Sequence, residues 1–295
     1  MSKNKQAILL IVISVFFGTL MLTFLKLAQE EVNVYVAGFF RFLFGFLIIL
    51  PYILKSKLTV FKTNHLKKHF FRAILNLPSM LLYFSALVML PIEKVTAISF
   101  VVPFFVTILA VLFLGEKIYI YRTLALILGF IGMIVILRPG IISISVGVYM
   151  ALASSLMWSV VIIITKSIAK DDSSITILSY GYTIMTILSF VIVLFYWQTP
   201  NLQTLIYLFF AGLSGTLLHL CINHAYKLVD VSMTQPYSFL SLLFASLVGY
   251  FVFSETPDLF TWIGASIIFL GVFIMSYREM KLDKEIIRKR IDIKS

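Results

Sequence analysis

The chain has 295 residues, of which 61% are hydrophobic and 13% are charged, and its formal net charge is +11. Charged residues make up about a quarter of an ordinary soluble domain, so this composition excludes one, and the length accommodates about ten membrane-spanning helices of roughly 20 residues each. In a soluble protein such a basic balance would suggest a nucleic-acid partner, whereas in a membrane protein it marks the loops of the cytoplasmic side.

Apolar runs with few charges alternate along the chain with short breaks that carry charge, glycine or proline. The first run follows Lys3 and Lys5, is longer than the apolar part of a signal peptide and is followed by no cleavage site, so we expect a retained helix. The pattern predicts an all-α membrane protein with ten spans, at residues 6–25, 32–54, 73–90, 95–115, 118–137, 146–165, 174–197, 204–225, 231–253 and 259–277.

The distribution of basic residues predicts the orientation of these spans. Ten spans place both termini on one side of the membrane. Of the 24 lysine and arginine residues, Lys26, Lys94 and Arg138 fall on the opposite side, Arg41 falls inside a span, and the rest fall in the segments on the side of the termini. Positive loops stay in the cytoplasm, so the sequence predicts cytoplasmic termini and, as location, a bacterial inner membrane.

A skeleton of charged and glycine residues recurs after 139 or 140 residues, which indicates a duplicated chain. Residues 1–138 form the first predicted repeat, residues 139–278 the second, and residues 279–295 a basic cytoplasmic tail. Five is an odd number of spans, so the repeats have opposite orientations, as in transporters whose solute site lies near the midplane. The recurring pairs are Glu116 and Glu255, Gly132 and Gly271, Lys26 and Lys166, and Arg138 and Arg278.

Three stretches resemble the drug/metabolite transporter superfamily of EamA type: FFRFLFGFL, IEKVTAISFVVPFFVTILAVLFLGEKI and VSMTQPYSFLSLLFASLVGYFVFSETPD. The resemblance covers nearly the whole chain. It implies two inverted five-helix repeats around a central cavity and transport of a small organic solute, such as an amino acid or its derivative, a nucleoside, a vitamin or S-adenosylmethionine. Export of drugs by the same fold is an alternative. The Phe-Phe-Arg-Phe and Pro-Tyr patterns are similar to bacterial S-adenosylmethionine carriers, although the acidic residue expected in that motif after Leu240 is replaced here by Ser241.

Arg41 is the outstanding candidate for solute binding, because it lies about nine residues inside the second span. A charge at that depth costs at least about 2.5 kcal/mol unless it is paired or hydrated, so the side chain should face the bundle interior. Gly38 and Gly45 leave space on the same helix face. The side chain would bind a carboxylate or another anionic group of the solute; alternatively, it is a structural arginine bonded to helix carbonyls or one that extends to the interface.

Further candidates lie on polar faces of the predicted spans, where a cavity wall and a helix-packing face are both possible. Trp158 would stack on the solute and Gln235 would form a hydrogen bond, while aromatic and histidine residues near span ends could instead be interfacial anchors. Lys26 and Lys166 end their spans and would extend to the interface by default. The remaining candidates are Asn76, Tyr83, Ser99, Tyr180, His219 and Tyr237.

Other features limit the mechanism and the protein class. Glu116 and Glu255 fall in breaks between spans and should order those turns. The thirteen acidic residues all fall outside the spans, so we expect no proton relay built from buried carboxylates. The chain lacks nucleotide-binding, protease and hydrolase motifs and shows no filter-like run, which disfavours an enzyme and a channel. We expect no cofactor, metal or nucleic-acid partner. The expected partners are a small solute and the lipid bilayer, and the expected oligomeric state is a monomer or a weak homodimer.

Overall fold

The computed structural model describes residues 3–90, 95–96, 98–99, 101–137, 145–253 and 259–292, and within these ranges it contains helices and turns but no strand. We number the helices α1 to α10 and treat the interrupted ninth helix as one element. The helices are α1 Lys3–Ala28, α2 Val34–Lys55, α3 Leu66–Met89, α4 Val101–Leu114, α5 Ile120–Leu137, α6 Val146–Ala169, α7 Ser174–Val193, α8 Leu202–Leu228, α9 in two segments, Val231–Thr234 and Leu240–Phe253, and α10 Leu259–Asp292.

The predicted ten-helix membrane fold is confirmed. Seven of the described helices are long and apolar enough to cross a membrane, and three shorter apolar helices belong to α4, α5 and α10. Polar residues begin several of them, because the first backbone N–H groups of a helix need acceptors. Asn33 accepts from the amides of Tyr35 and Val36 at the start of α2, and Ser173 and Asn201 cap α7 and α8 in the same way.

Three differences between the helices and the predicted spans affect the description of the site. Helix α3 begins at Leu66, seven residues before the predicted start, so part of the expected basic loop is helical. Helix α9 is interrupted by a 3-10 turn at Gln235–Phe239, because Pro236 lacks an amide hydrogen and clashes with the preceding turn of an α-helix. Helix α10 continues past the predicted boundary at 277 into the expected tail. The hinge at 138–140 and Glu255 lie outside the described residues.

The most extensive helix contacts join the two halves of the chain and occur in matching pairs. Helix α1 packs along α8 and α3 along α6; α4 packs on α6 and α9 on α1; α2 packs on α8 and α3 on α7. Helices α2 and α7 pack on one another, and so do α5 and α10. If each helix of the first half is exchanged with the helix five places later in the second half, the same set of contacting pairs results. The arrangement therefore has a pseudo-two-fold relation between helices one to five and six to ten.

Glycines allow several of these helix pairs to approach closely. A Cβ at Gly132 of α5 would lie 2.6 Å from the carbonyl oxygen of Gly264 in α10, and a Cβ at Gly212 of α8 would lie 3.1 Å from the carbonyl oxygen of Arg41 in α2. Small residues have this role in membrane bundles because tight van der Waals packing holds such helices together. Both contacts cross between the two halves of the chain.

Candidate functional site

A cavity of about 340 Å³ lies in the middle of the bundle, between α1, α3, α4, α6, α8 and α9. Its volume is at the lower end of the range of small-molecule sites, about 300–1,000 Å³. No acidic residue is among its described lining residues. The walls combine aromatic and aliphatic surface with hydroxyl groups contributed by both halves of the chain: Ser14, Thr19, Ser79, Thr96, Ser99, Ser154, Ser155, Thr234, Ser238 and Ser241.

Arg41 extends from α2 into this cavity and is almost completely buried, with 6% of its surface exposed. Its Nε lies 3.2 Å from the sulfur of Met21, its Nη2 lies 3.4 Å from Nε2 of His219, and the guanidinium carbon lies 4.5 Å from the Phe42 ring centre. None of these contacts is with a carboxylate or a backbone carbonyl. A guanidinium has five N–H donors, so Arg41 retains capacity for an anionic ligand.

Glycines around Arg41 serve different purposes. Gly38 and Gly45, predicted to leave space beside it, instead accommodate Met80 and the ring of Tyr182. The space for the guanidinium is provided by Gly215 of α8, where a Cβ would lie 3.2 Å from Nη2 of Arg41. The buried charge is thus accommodated by a glycine of the other half of the chain.

Trp158 and His219 form the aromatic side of the cavity. Their ring centres lie 6.2 Å apart at an interplanar angle of 59°, and both line the cavity together with Asn76 and Tyr83 of α3. In this arrangement one of the two rings can stack on a flat ring of a ligand while the other contacts the ligand at an angle. Because a guanidinium only donates, Nε2 of a neutral His219 accepts from Arg41.

Ser99 and Gln235 lie on the α4–α9 side of the cavity. The Ser99 hydroxyl donates to the carbonyl of Val95 at 2.8 Å. The Gln235 amide donates to the carbonyl of Val231 and to the hydroxyl of Thr234 at the interruption of α9. Seven of the ten predicted residues thus line one cavity: Arg41, Asn76, Tyr83, Ser99, Trp158, His219 and Gln235.

The other three predicted residues lie elsewhere. Tyr237 is 1% exposed and packs in an apolar cluster that includes Ile11 and Met275, because the 3-10 turn of α9 directs it away from the cavity. Tyr180 donates to the carbonyl of Phe61 at 2.6 Å and stacks on His69. Lys26 is half-buried at the end of α1 and is not part of the cavity wall. A direct solute contact by these three is not supported.

Arg72 lies beside the cavity, although it falls between the predicted spans 32–54 and 73–90. It lines a smaller pocket of about 60 Å³ that shares Asn76, Trp158 and His219 with the central cavity. Helical periodicity could have identified it, since one face of α3 carries polar residues at spacings of three and four. These residues are His69, Arg72, Asn76, Ser79 and Tyr83.

Two sets of polar contacts lie near the start of α9, on the predicted cytoplasmic side. The Glu116 carboxylate accepts from the backbone amides of Val231 and Ser232 at 2.8 and 2.9 Å. It therefore orders its turn, as expected, by capping the start of α9. The expectation that Lys166 reaches the interface is wrong, because it is 8% exposed and donates to the Tyr226 and Val229 carbonyls at the end of α8.

A buried carboxylate is also present, contrary to expectation. Asp172 lies in the turn between α6 and α7, yet it is only 6% exposed. Its Oδ2 accepts from Nε2 of His69 at 2.8 Å and from the Thr63 hydroxyl at 2.7 Å. A turn residue can be buried in this way because the segment before α3 folds over it, which the local sequence does not reveal.

We predict that Asp172→Asn lowers the free energy of unfolding by about 1–3 kcal/mol, since hydrogen bonds to a buried charged acceptor are the strong ones. Asp171→Asn is the control: its carboxylate is 64% exposed and pairs with His65, and exposed ion pairs contribute about 0–1 kcal/mol. Denaturant unfolding of both purified variants in one detergent measures the difference. Equal effects of the two substitutions would contradict the prediction.

Comparisons with known proteins agree with this architecture. The model of the EamA-like transporter family matches residues 5–138 and again residues 145–277. An S-adenosylmethionine uptake transporter of Rickettsia bellii is 32% identical over 256 residues, which are 87% of this chain and 88% of that protein. A riboflavin transporter of Rhizobium johnstonii is 27% identical over 250 residues, 84% and 83% of the two chains. One crystal structure, 15% identical, superimposes with a TM-score of 0.79 over 94% of this chain and 99% of its own.

Proposed function

The chain belongs to the EamA-like transporter family, and from this premise we propose that it is a secondary transporter of a small carboxylate-bearing metabolite. An amino-acid derivative such as S-adenosylmethionine fits best. The observation that carries this choice is the buried Arg41, which lines the cavity and has no carboxylate partner among the described residues. A buried arginine is costly unless a counter-charge compensates it, and the solute can supply one.

The cavity chemistry supports an amino-acid derivative with an aromatic part. Arg41 would bind the carboxylate, and Trp158 with His219 would stack on a flat ring. A solute cation such as a sulfonium would lie against the aromatic rings, since no described lining residue is acidic. A riboflavin-like vitamin is the second candidate, supported by the relative that transports it and by the same stacking surface, but it has no carboxylate for Arg41.

Alternating access would come from the two halves of the chain. The duplicated match to the family model and the exchangeable helix packing support two repeats, at 1–138 and 139–278. Five helices in each repeat would give them opposite orientations, so that rocking one against the other exposes the cavity to either side. The basic loops support a bacterial inner membrane location with both termini in the cytoplasm.

Transport by purified protein in proteoliposomes tests the proposal. We expect saturable uptake of radiolabelled S-adenosylmethionine and counter-flow when unlabelled solute is preloaded. Riboflavin should compete more weakly than carboxylate-bearing amino-acid derivatives do. Saturable riboflavin uptake without S-adenosylmethionine uptake would favour the second candidate, and flux that rises linearly with concentration would contradict a carrier.

A further inference from the structure

Arg72 is a second cationic side chain that reaches the interior of the bundle. Its Nη2 donates to the carbonyl of Ile177 at 2.8 Å, and its Nη1 lies 3.4 Å from the hydroxyl of Thr165. A Cβ at Gly181 would lie 2.9 Å from Nη2, so the guanidinium lies against bare backbone of α7. None of the ion pairs formed by the described residues includes Arg72. Most of its hydrogen-bonding capacity therefore remains for another ligand.

The pocket beside Arg72 is small and rich in hydrogen-bonding groups. Asn76, Thr165, Tyr182, His219 and Asn223 line its volume of about 60 Å³, and no acidic residue is among its described lining residues. A water molecule has a share of about 30 Å³ in the liquid, so this space suits a carboxylate group but not a whole metabolite. Asn76 and Trp158 line both this pocket and the central cavity, so part of a larger solute in the cavity would reach the pocket.

The two arginines lie in two helix contacts, α2 with α8 and α3 with α7, that the pseudo-two-fold arrangement relates to one another. Arg41 lies against Gly212 and Gly215 of α8, and Arg72 lies against Gly181 of α7. The 140-residue offset between the repeats relates position 41 to Gly181 and position 72 to Gly212. Each of the two related helix contacts thus combines one arginine with one glycine, but the arginine comes from α2 in one contact and from α3 in the other.

The two guanidiniums also start from similar depths on opposite sides of the membrane. Arg41 lies seven residues after the start of α2 at Val34, and Arg72 lies six residues after the start of α3 at Leu66. At 1.5 Å per residue these positions are about 10 and 9 Å from their helix ends. Because successive spans run in opposite directions, the proposed topology places those ends toward opposite faces of the membrane.

We propose that Arg72 forms a second anion subsite, which binds the carboxylate group of the transported solute on the cytoplasmic half of its path. Arg41 binds the same group on the outer half. The proposal rests on the proposed function, because its ligand is the carboxylate-bearing solute named there. With two cationic subsites of similar depth, the carboxylate passes from one arginine to the other as the solute crosses the midplane. Its charge is therefore never buried without a counter-charge.

A fluorescence titration with sodium formate, the smallest carboxylate, tests the subsite without requiring transport. The full-length protein carries Trp197→Phe, Trp262→Phe and Arg41→Gln, so that Trp158 is the sole remaining tryptophan of three and the Arg41 site is removed. We expect a saturable response at constant ionic strength. Adding Arg72→Gln should raise the half-saturating formate concentration at least tenfold, whereas Arg72→Lys should keep it within about threefold, because charge is retained.

Gly181→Ala provides a second variant that leaves Arg72 in place. Its Cβ displaces the guanidinium from the wall of α7, so we expect weaker formate binding even if Arg72→Gln folds poorly. An unsaturable response of the parent protein, or an identical response after Arg72→Gln, would overturn the proposal. If formate binds through Arg72 but no carboxylate-bearing solute is transported, the subsite stands and the proposed function fails.

Discussion

Replacing Arg41 with alanine is expected to weaken solute binding at least tenfold, which corresponds to about 1.4 kcal/mol. The guanidinium is the cationic group that lines the central cavity, and its described partners are the Met21 sulfur, the His219 ring and the Phe42 ring. A carboxylate bound there would lose its charge-assisted hydrogen bonds. Equilibrium binding of labelled solute to protein in detergent measures the change, and proteoliposome uptake shows whether transport follows it.

The stability of the same variant separates a binding arginine from a structural one. No described backbone carbonyl accepts from Arg41, so Arg41→Ala should leave the unfolding temperature unchanged or raise it, because removal of an unpaired buried charge is favourable. Lys26→Ala is the control for charge in the same half, since Lys26 does not line the cavity. A loss of stability with unchanged solute affinity would show that Arg41 is structural.

Replacing Gly132 with alanine is expected to destabilise the protein by about 1–3 kcal/mol through overpacking between α5 and α10. The added methyl group would lie 2.6 Å from the carbonyl oxygen of Gly264 and 2.7 Å from Cγ1 of Ile268. A backbone oxygen in a helix cannot rotate away as a side chain does, so the two helices must separate. Thermal unfolding in detergent, monitored by circular dichroism, measures the effect.

Gly271→Ala is the control at the related position, 139 residues later. Its added methyl group would lie 3.0 Å from Cβ of Leu128 and 3.4 Å from the carbonyl of Ala125. Small adjustments relieve these contacts, so the loss of stability should be smaller than for Gly132→Ala. Equal losses for the two variants would show that the carbonyl contact of Gly264 does not limit the approach of α5 and α10.

Much of the candidate site could be predicted because several of its residues are unusual for their local surroundings. Arg41 and Trp158 stand within apolar runs, and each lines the cavity. Tyr180 and Tyr237 stand in similar runs, yet one bonds to the carbonyl of Phe61 and the other packs in an apolar cluster. Polarity within a span indicates burial against protein, but it does not reveal which neighbour receives the side chain.

The sequence by itself determined the protein class, the number of spans and their approximate positions, because the cost of exposing polar groups to lipid acts on each segment separately. Only the tertiary structure decided which polar groups meet. It brought Asp172 to His69, Lys166 to the end of α8, and Arg72 to the glycine of α7. Those partners are 60 or more residues apart in the chain, so the packing of the helices, rather than any local pattern, places them in contact.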